Sequence, residues 1–500
     1  MSLFKDREEF DLTSGGIAKP LFFLSLPIVV TNLMQTAYNL ADTFWLGQYS
    51  TEALAAISFA FPMVFLLISF GMGISVAGSV LVAQHTGADE PRKAEYAASQ
   101  TVTFAVLFSL VFGAVGYVVV GPFLSVLGAS PEVLPLATGY MRIISLGLVS
   151  MFGFWVFVSL MRGYGDTITP MLVMFGSVVV NIAIDPFLIF GFESNPLFGM
   201  LSLRGLEASL FAATGYGGSG VAGAAIATVF ARSLAMVVGL LIMFRGNRGV
   251  EIHLSDMAPD FGYVERLVRI GAPASVEVGG RALSVNLMLF VIGLFPTTVV
   301  AGYGIGVRVF SVVFLPAIAV ARGVETMSGQ NLGAEKPDRA AAANHFAAKA
   351  MFLVLAGVGV VTWVAAGPVV AVFTDDPEVL EVGTTFLRYV APTFGFIGVM
   401  RAYTGGFRGA GKTMVAAAVS IFMLGVVRLP LAWVLARLDP ANLAWLPVEA
   451  AAVVGANGIW LSFAVSNVVG ATVAYLWFKT GSWREADLTE RGASAAGSDD

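Results

Sequence analysis

The chain repeats itself at a separation of 246 residues, and this constrains its fold more than any single motif. Gln84-His85-Thr86-Gly87-Ala88-Asp89-Glu90-Pro91 returns as Gln330-Asn331-Leu332-Gly333-Ala334-Glu335-Lys336-Pro337, and Pro131-Glu132-Val133-Leu134 returns as Pro377-Glu378-Val379-Leu380. Arg162-Gly163-Tyr164-Gly165-Asp166-Thr167 returns as Arg408-Gly409-Ala410-Gly411-Lys412-Thr413, and Pro27 as Pro273. One offset serves all four pairs, whereas chance matches would scatter, so the chain holds two copies of one structural unit. Repeats of hydrophobic helices are how many secondary transporters are built.

The residues between these motifs are overwhelmingly apolar. The chain is 57% hydrophobic and 12% charged, against about 25% charged in soluble domains, which makes it an integral membrane protein. Stretches long enough for a helix to cross a bilayer core of roughly 30 Å lie at about 20–46, 54–84, 96–123, 133–159, 166–192, 219–243, 263–291, 298–328, 342–371, 379–405, 412–437 and 452–478. The expected fold is all-α, with twelve transmembrane helices, six per copy. Strands of a membrane barrel would be short and alternating, and these runs are neither.

Six is an even number, so the second copy enters the membrane in the orientation of the first, and the two six-helix bundles are parallel. Arg92, Lys93, Arg162, Arg245, Arg248, Lys336, Arg339, Arg408, Lys412, Lys479 and Arg484 fall on the connections of one side, and the other side holds little beyond Arg204 and Arg437. By the positive-inside rule both termini are cytoplasmic, in a multi-pass protein of the cell membrane. The acids concentrate in the stretch from Asp6 to Asp11, in the loops and in Ser498-Asp499-Asp500. Residues 1–12 are charged and the first apolar run is long enough to span, so no cleaved leader is expected. The expected organisation is a cytoplasmic segment 1–15, an N-lobe 16–243, a polar linker 244–262, a C-lobe 263–478 and a cytoplasmic tail 479–500. Residues 193–218 form an insertion on the external side where the copies lose register, because Gly220-Val221-Ala222-Gly223 pairs with Gly455-Ala456-Asn457-Gly458 at a shorter offset.

An ionisable residue at the bilayer centre costs about 2.5–3.5 kcal/mol on the insertion scale, so each one is a functional candidate. Asp42 and Asp185 stand out. Gln35, Tyr38, Asn39 and Asp42 share a helix face by their spacing, as do Asn181 and Asp185. Thr228 enters from the same half of the membrane as both acids. One reading is a cation site, since carboxylate, amide and hydroxyl oxygens suit a hard ion and two close carboxylates can share a proton. The other is that each acid caps an irregular helix end or bonds a carbonyl freed by a proline such as Pro186. Glu277 and Arg281 are four apart in the favourable order for an ion pair; the alternative is a second cation or substrate contact. Arg308, Arg322, Glu325, Arg401 and Arg428 are expected to pair or snorkel. Phe61, Phe154, Trp155, Phe157 and Phe396 could face a cavity and stack on organic cations.

Several classes are set aside. Cysteine is absent and the three histidines are scattered, so no disulfide, thiolate or histidine metal site is expected. Gly406 to Thr413 has the spacing of a nucleotide-binding loop, but apolar helices flank it and its repeat partner carries Asp166 where the lysine belongs. It reads as a tight turn, and neither nucleotide nor nucleic acid is an expected partner. No nucleophile with a base is evident, so an enzyme is not expected, nor is a cofactor.

Taken together, the run Asn39-Leu40-Ala41-Asp42-Thr43-Phe44-Trp45-Leu46-Gly47, the two repeated motifs and Asn181-Ile182-Ala183-Ile184-Asp185-Pro186 resemble the multidrug and toxic compound extrusion (MATE) family, its DinF-like branch in particular. The likeness runs from about Gly15 to Lys479. It implies two six-helix bundles around a central cleft and an antiporter exporting organic cations and other amphiphiles, as small-molecule substrates, in exchange for H⁺ or Na⁺. It implies an ion site at Asp42, Asn181, Asp185 and Thr228, the metal ligands if the ion is Na⁺, with Gln35, Tyr38 and Tyr140 nearby. A monomer is expected. A flippase for a lipid-like or lipid-linked substrate is the alternative; it would show a strongly cationic cavity for an anionic headgroup.

Overall fold

A computed structural model describes residues 12–438 and 453–484. The acidic stretch from Asp6 to Asp11 and the terminal Ser498 to Asp500 lie outside the described residues. Within them the regular structure is helical, without strands. The first half comprises α1 (Ala18–Tyr49), α2 (Thr51–Gly87), α3 (Pro91–Val126), α4 (Val133–Leu146), α5 (Leu148–Tyr164), α6 (Ile168–Phe190), the short α7 (Pro196–Met200) and α8 (Arg204–Thr214), and α9 (Gly220–Arg245). The second comprises α10 (Phe261–Ile292), α11 (Thr297–Gly333), α12 (Pro337–Val364), α13 (Ala366–Ala371), α14 (Pro377–Val390), α15 (Phe394–Gly409), α16 (Thr413–Ile421), α17 (Leu429–Arg437) and α18 (Gly455–Lys479).

The duplication is visible in the backbone. Both α2 and α11 are 37 residues long, beginning at Thr51 and Thr297 and ending at Gly87 and Gly333. The turns that follow place Asp89 and Glu335 at the same positive φ of 57°, a conformation that side chains other than glycine seldom adopt. The two copies of the Arg-Gly-x-Gly motif end in a positive-φ glycine, Gly165 and Gly411. Gly220 and Gly455, paired in sequence across the insertion, both open a helix with positive φ.

Ten of the described helices are long and apolar enough to cross a membrane, or eleven if the pair α4 and α5, bent by 54°, counts as one broken span. This departs from the expected twelve for a local reason. The stretch expected at 133–159 bends at Gly147, where a side chain would collide with Val229. The stretch expected at 379–405 is divided by the 3-10 turn Ala391–Thr393 into α14 and α15, of 14 and 16 residues; Pro392 has no amide to continue the helix. Between α16 and α17 the chain winds as a π-helix over Phe422–Arg428.

The helices pack through small residues, as expected where lipid is as apolar as the side chains and close approach must supply the attraction. Gly223 of α9 rests on the backbone of α6 at Leu188, and Gly163 of α5 on α2 at Ser79. By compactness the chain divides into one unit of residues 27–82 and 91–275 and another of 1–26, 83–90 and 276–500. In the first unit the polar stretch expected as a linker lies along α3: Gln100 donates to the carbonyls of Asp256 and Ala258 (2.6 and 2.7 Å) and Thr103 to that of Met257 (3.1 Å). Asp260 accepts from the Tyr96 hydroxyl at 2.8 Å, which with the Tyr263 and Gly262 amides holds its carboxyl below the usual range. The insertion holds α7 and α8, and Asn195 ties it to α6 by donating to the carbonyls of Pro186 and Gly191 (2.8 and 2.9 Å).

Two arginines counted from sequence with the cytoplasmic connections do not lie in loops. Arg162 and Arg408 are buried at the ends of α5 and α15. Each stands three residues before the positive-φ glycine of its turn, so it belongs to the last helical turn, whose side chains can point back along the helix.

Candidate functional site

The first unit contains a cavity of about 360 Å³ whose polar lining comes mainly from one face of α1: Gln35, Tyr38, Asn39, Asp42 and Thr43. Helical spacing places these residues side by side. Tyr140 of α4 and Thr228 and Arg232 of α9 complete the polar wall, and Phe61, Phe65 and Trp155 are among the apolar residues opposite. Asp42 is nearly inaccessible, and Asn181 and Asp185 of α6, each 0% exposed, are not part of the lining. Their carboxyl and amide groups lie directly against Asp42. The arrangement is therefore a cavity-facing acid with a second acid sealed behind it.

Bonding inside the cluster is sparse. Asn181 Nδ2 donates to Asp185 Oδ1 at 3.2 Å, and the Thr228 hydroxyl reaches Asp42 Oδ2 only at 3.5 Å. Asp42 Oδ1, Asp185 Oδ2, Asn181 Oδ1 and the Tyr38 hydroxyl are buried without a hydrogen-bond partner. Leaving such groups unpaired costs about 1–3 kcal/mol each, and four oxygens converging in one place form a donor set suited to a proton or a hard cation. Neither acid ends a helix: Asp42 lies within α1 and Asp185 within α6, which continues past Pro186 to Phe190. The capping explanation left open by the sequence therefore does not describe this geometry.

Arg232 is a member of the cluster that sequence reasoning missed. It donates to Gln35 Oε1 at 2.6 Å and lies over the rings of Tyr38 and Phe154 at 4.7 and 5.0 Å. Its signal was present: a lone charge in the apolar run of α9, four residues after Thr228 and so on the same face. Gln35 is held in turn through its amide, which donates to Asn39 Oδ1 at 3.0 Å. With Arg232 charged, two ionised carboxylates leave one negative charge in the cluster, which a single monovalent cation would balance. Of the five aromatic residues singled out in sequence, Phe61 and Trp155 line the cavity. Phe154 and Phe157 are fully buried in packing, and Phe396 stacks edge-on against Phe352.

In the other unit the expected pair of Glu277 with Arg281 is replaced. Glu277 accepts two bonds from Arg408 Nη1, at 3.1 and 2.9 Å, and one from Ser420 at 3.0 Å, and lies 3.7 Å from Arg401. Arg408 also donates to Glu325, which pairs with Arg322 at 2.8 Å. Arg281 instead lies over the Phe314 ring at 4.9 Å. Helical spacing sees only partners on the same helix; Arg408, from α15, offers Glu277 a two-pronged bond that Arg281 does not.

The model of the MatE family matches residues 27–187 and again residues 273–434, once in each copy. The chain belongs to the MATE family of multidrug efflux transporters. It is 24% identical over 480 residues to a probable multidrug resistance protein, YpnP, of Bacillus subtilis, covering 96% of this chain and 98% of that one. It is 26% identical to the FAD transporter of Shewanella oneidensis, covering 86% of this chain and 90% of the relative. Its fold matches a solved MOP superfamily transporter from Pyrococcus furiosus with a TM-score of 0.81 at 21% identity, covering 97% of this chain and all of that one. The duplication, the helical membrane fold and the MATE membership are thus reached from independent directions.

Proposed function

We propose that this MATE protein is a secondary active antiporter of the cell membrane. It exports amphiphilic small molecules, organic cations among them, in exchange for H⁺ or Na⁺ by alternating access, with both termini in the cytoplasm. The coupling ion binds at Asp42 and Asp185, with Asn181 and Thr228 supplying neutral oxygens, and Tyr38, Gln35, Asn39 and Tyr140 forming the approach. The observation that carries this reading is the buried apposition of Asp42 and Asp185, with an unpartnered oxygen on each acid. Two carboxylates forced together in a low dielectric do not both stay ionised and alone; they take up a proton or a cation. A coupling ion drawn from the medium and released elsewhere needs such a site beside a cavity, and Asp42 lines one.

Relatives of this chain are named for multidrug resistance and for FAD transport, so the family name alone does not fix the cargo. The deciding experiment is transport by the purified protein in proteoliposomes, with Na⁺ and pH gradients imposed separately. Export driven by one gradient and abolished by Asp42→Asn supports the assignment; gradient-driven export that survives Asp42→Asn and Asp185→Asn defeats it. A flippase for lipid-like substrates is the second reading, favoured by one observation only, the two arginines set against Phe314.

A further inference from the structure

Arg281 of α10 and Arg401 of α15 both sit against the ring of Phe314, with guanidinium carbons 4.9 and 5.6 Å from its centroid. Neither makes a hydrogen bond among the described residues. Arg401 comes no nearer than 3.7 Å to Glu277 Oε1, and its buried Nε has no partner. Glu277 serves them only weakly: its carboxylate already accepts from Arg408 and Ser420, and Arg401 approaches it no closer than 3.7 Å. Among the described residues two carboxylates, Glu277 and Glu325, are bonded into this cluster; Arg322, Arg401 and Arg408 pair with them and Arg281 lies nearby. Two positive charges remain over.

A guanidinium group cannot shed its proton in a protein, so this excess is permanent. Surplus positive charge on membrane-spanning helices is costly, and the long approach of Arg401 to Glu277 and cation–π contact with one shared ring offset only part of that cost. The planar fork of arginine matches a tetrahedral or carboxylate oxyanion. Arg281 is partly exposed, so an outside group can reach it, while Arg401 stands deeper as the second arm.

We infer that Arg281 and Arg401, set against Phe314, form a binding site for an oxyanion of the phosphate-ester class, carried by an exported molecule or by a lipid headgroup. The site rests on the reading of this chain as a transporter of small molecules, and it widens the cargo from organic cations to molecules bearing an acidic group. Ion coupling and anion recognition then occupy separate places, the first at Asp42 and Asp185 and the second at the two arginines.

The test is equilibrium dialysis of the full-length protein in neutral detergent with 4-methylumbelliferyl phosphate and with 4-methylumbelliferone, the same ring without the phosphate. The wild type is expected to hold the ester roughly tenfold or more tightly than the phenol, with inorganic phosphate competing. Arg281→Gln and Arg401→Gln should each remove that preference and leave phenol binding unchanged, which also reports that the variants are folded; Arg281→Lys should retain part of it. Equal affinities in the wild type, no binding of the ester, or a preference that survives both glutamine substitutions together overturns the site. Vesicles distinguish the two sources: export of the ester from phosphatidylcholine proteoliposomes identifies cargo, whereas bound but untransported ester displaced by added phosphatidylglycerol identifies a headgroup. Because binding is read without a gradient, Asp42→Asn should leave it intact, so a failure of ion coupling is told apart from a failure of this site.

Discussion

Gly87 and Gly333 occupy the same place in the two copies, and each presses its α-carbon against the backbone of the other copy's glutamine: Gly87 on the carbonyl of Gln330, Gly333 on that of Gln84. The reciprocity follows from the matching C-terminal ends of α2 and α11, which meet within one compact unit. No side chain can stand at either position without moving a backbone. Gln84 adds a bond across the same crossing, donating to the Gly409 carbonyl at 3.0 Å.

Gly87→Ala and Gly333→Ala are therefore expected to destabilise the folded protein by about 1–3 kcal/mol each, the usual cost of overpacking. Thermal unfolding in detergent measures this. Gly139→Ala and Gly176→Ala, where a methyl group meets nothing within 4 Å, should change stability little. An unaltered melting temperature in both crossing variants would mean that the helices separate there at little cost.

Asp42→Asn and Asp185→Asn should each abolish gradient-driven export and leave the protein folded and inserted, because an amide keeps the shape of the acid and loses its charge. Retained drug binding with lost export is the expected pattern. Either variant transporting at the wild-type rate under an imposed gradient would rule out a shared site.

Arg232 sets the charge of that site, so Arg232→Gln should tighten binding of the coupling cation. At a separation of several ångströms and an effective dielectric near 20, removing one positive charge is worth about 2 kcal/mol, or roughly tenfold or more in affinity. Slower turnover should accompany it, since an ion held more tightly leaves more slowly. Ion affinity in Arg232→Gln equal to that of the wild type would show that the arginine serves Gln35 and Tyr38 alone.

The two acids were legible in the sequence because a carboxylate in an apolar run is rare and expensive; Asn181 followed from its spacing to Asp185, and Thr228 from the family resemblance. Arg232 carries the same signal, a lone charge in the apolar run of α9 four residues after Thr228 and on its face. The Glu277 partner was beyond reach because Arg408 is 131 residues away, inside a motif whose local pattern reads as a surface turn. Duplication itself disclosed the fold, and even the matching strained turns at Asp89 and Glu335 follow from it. What duplication could not disclose is where the copies differ, as at the π-turn before α17.

Glu277→Gln should lower folded yield sharply, because it leaves Arg408 short of a buried partner, a loss of about 3–5 kcal/mol in comparable pairs. Combining it with Arg408→Met should restore part of that loss, giving a coupling energy of at least about 1 kcal/mol by double-mutant cycle. Arg281→Met combined with Glu277→Gln should show no comparable rescue. A larger rescue from Arg281 than from Arg408 would reverse the pairing described here.

Topology is tested in the same cysteine-free background. The expected orientation places Glu52 and Asp375 outside and Arg92 and Asp338 inside, and all four are exposed, three in the first turn of a helix and Asp375 in the loop before α14. Single cysteines at Glu52 and Asp375 should react with a membrane-impermeant maleimide added to whole cells, and those at Arg92 and Asp338 only after permeabilisation. Because Arg162 and Arg408 are buried, fewer cations than counted bias the orientation, though Arg92, Lys93, Arg245, Arg248, Lys336, Arg339 and Lys412 still outnumber Arg204 and Arg437 on the opposite side. Labelling of Arg92 and Asp338 positions in intact cells would invert the topology and place the cavity of Asp42 on the other side of the membrane.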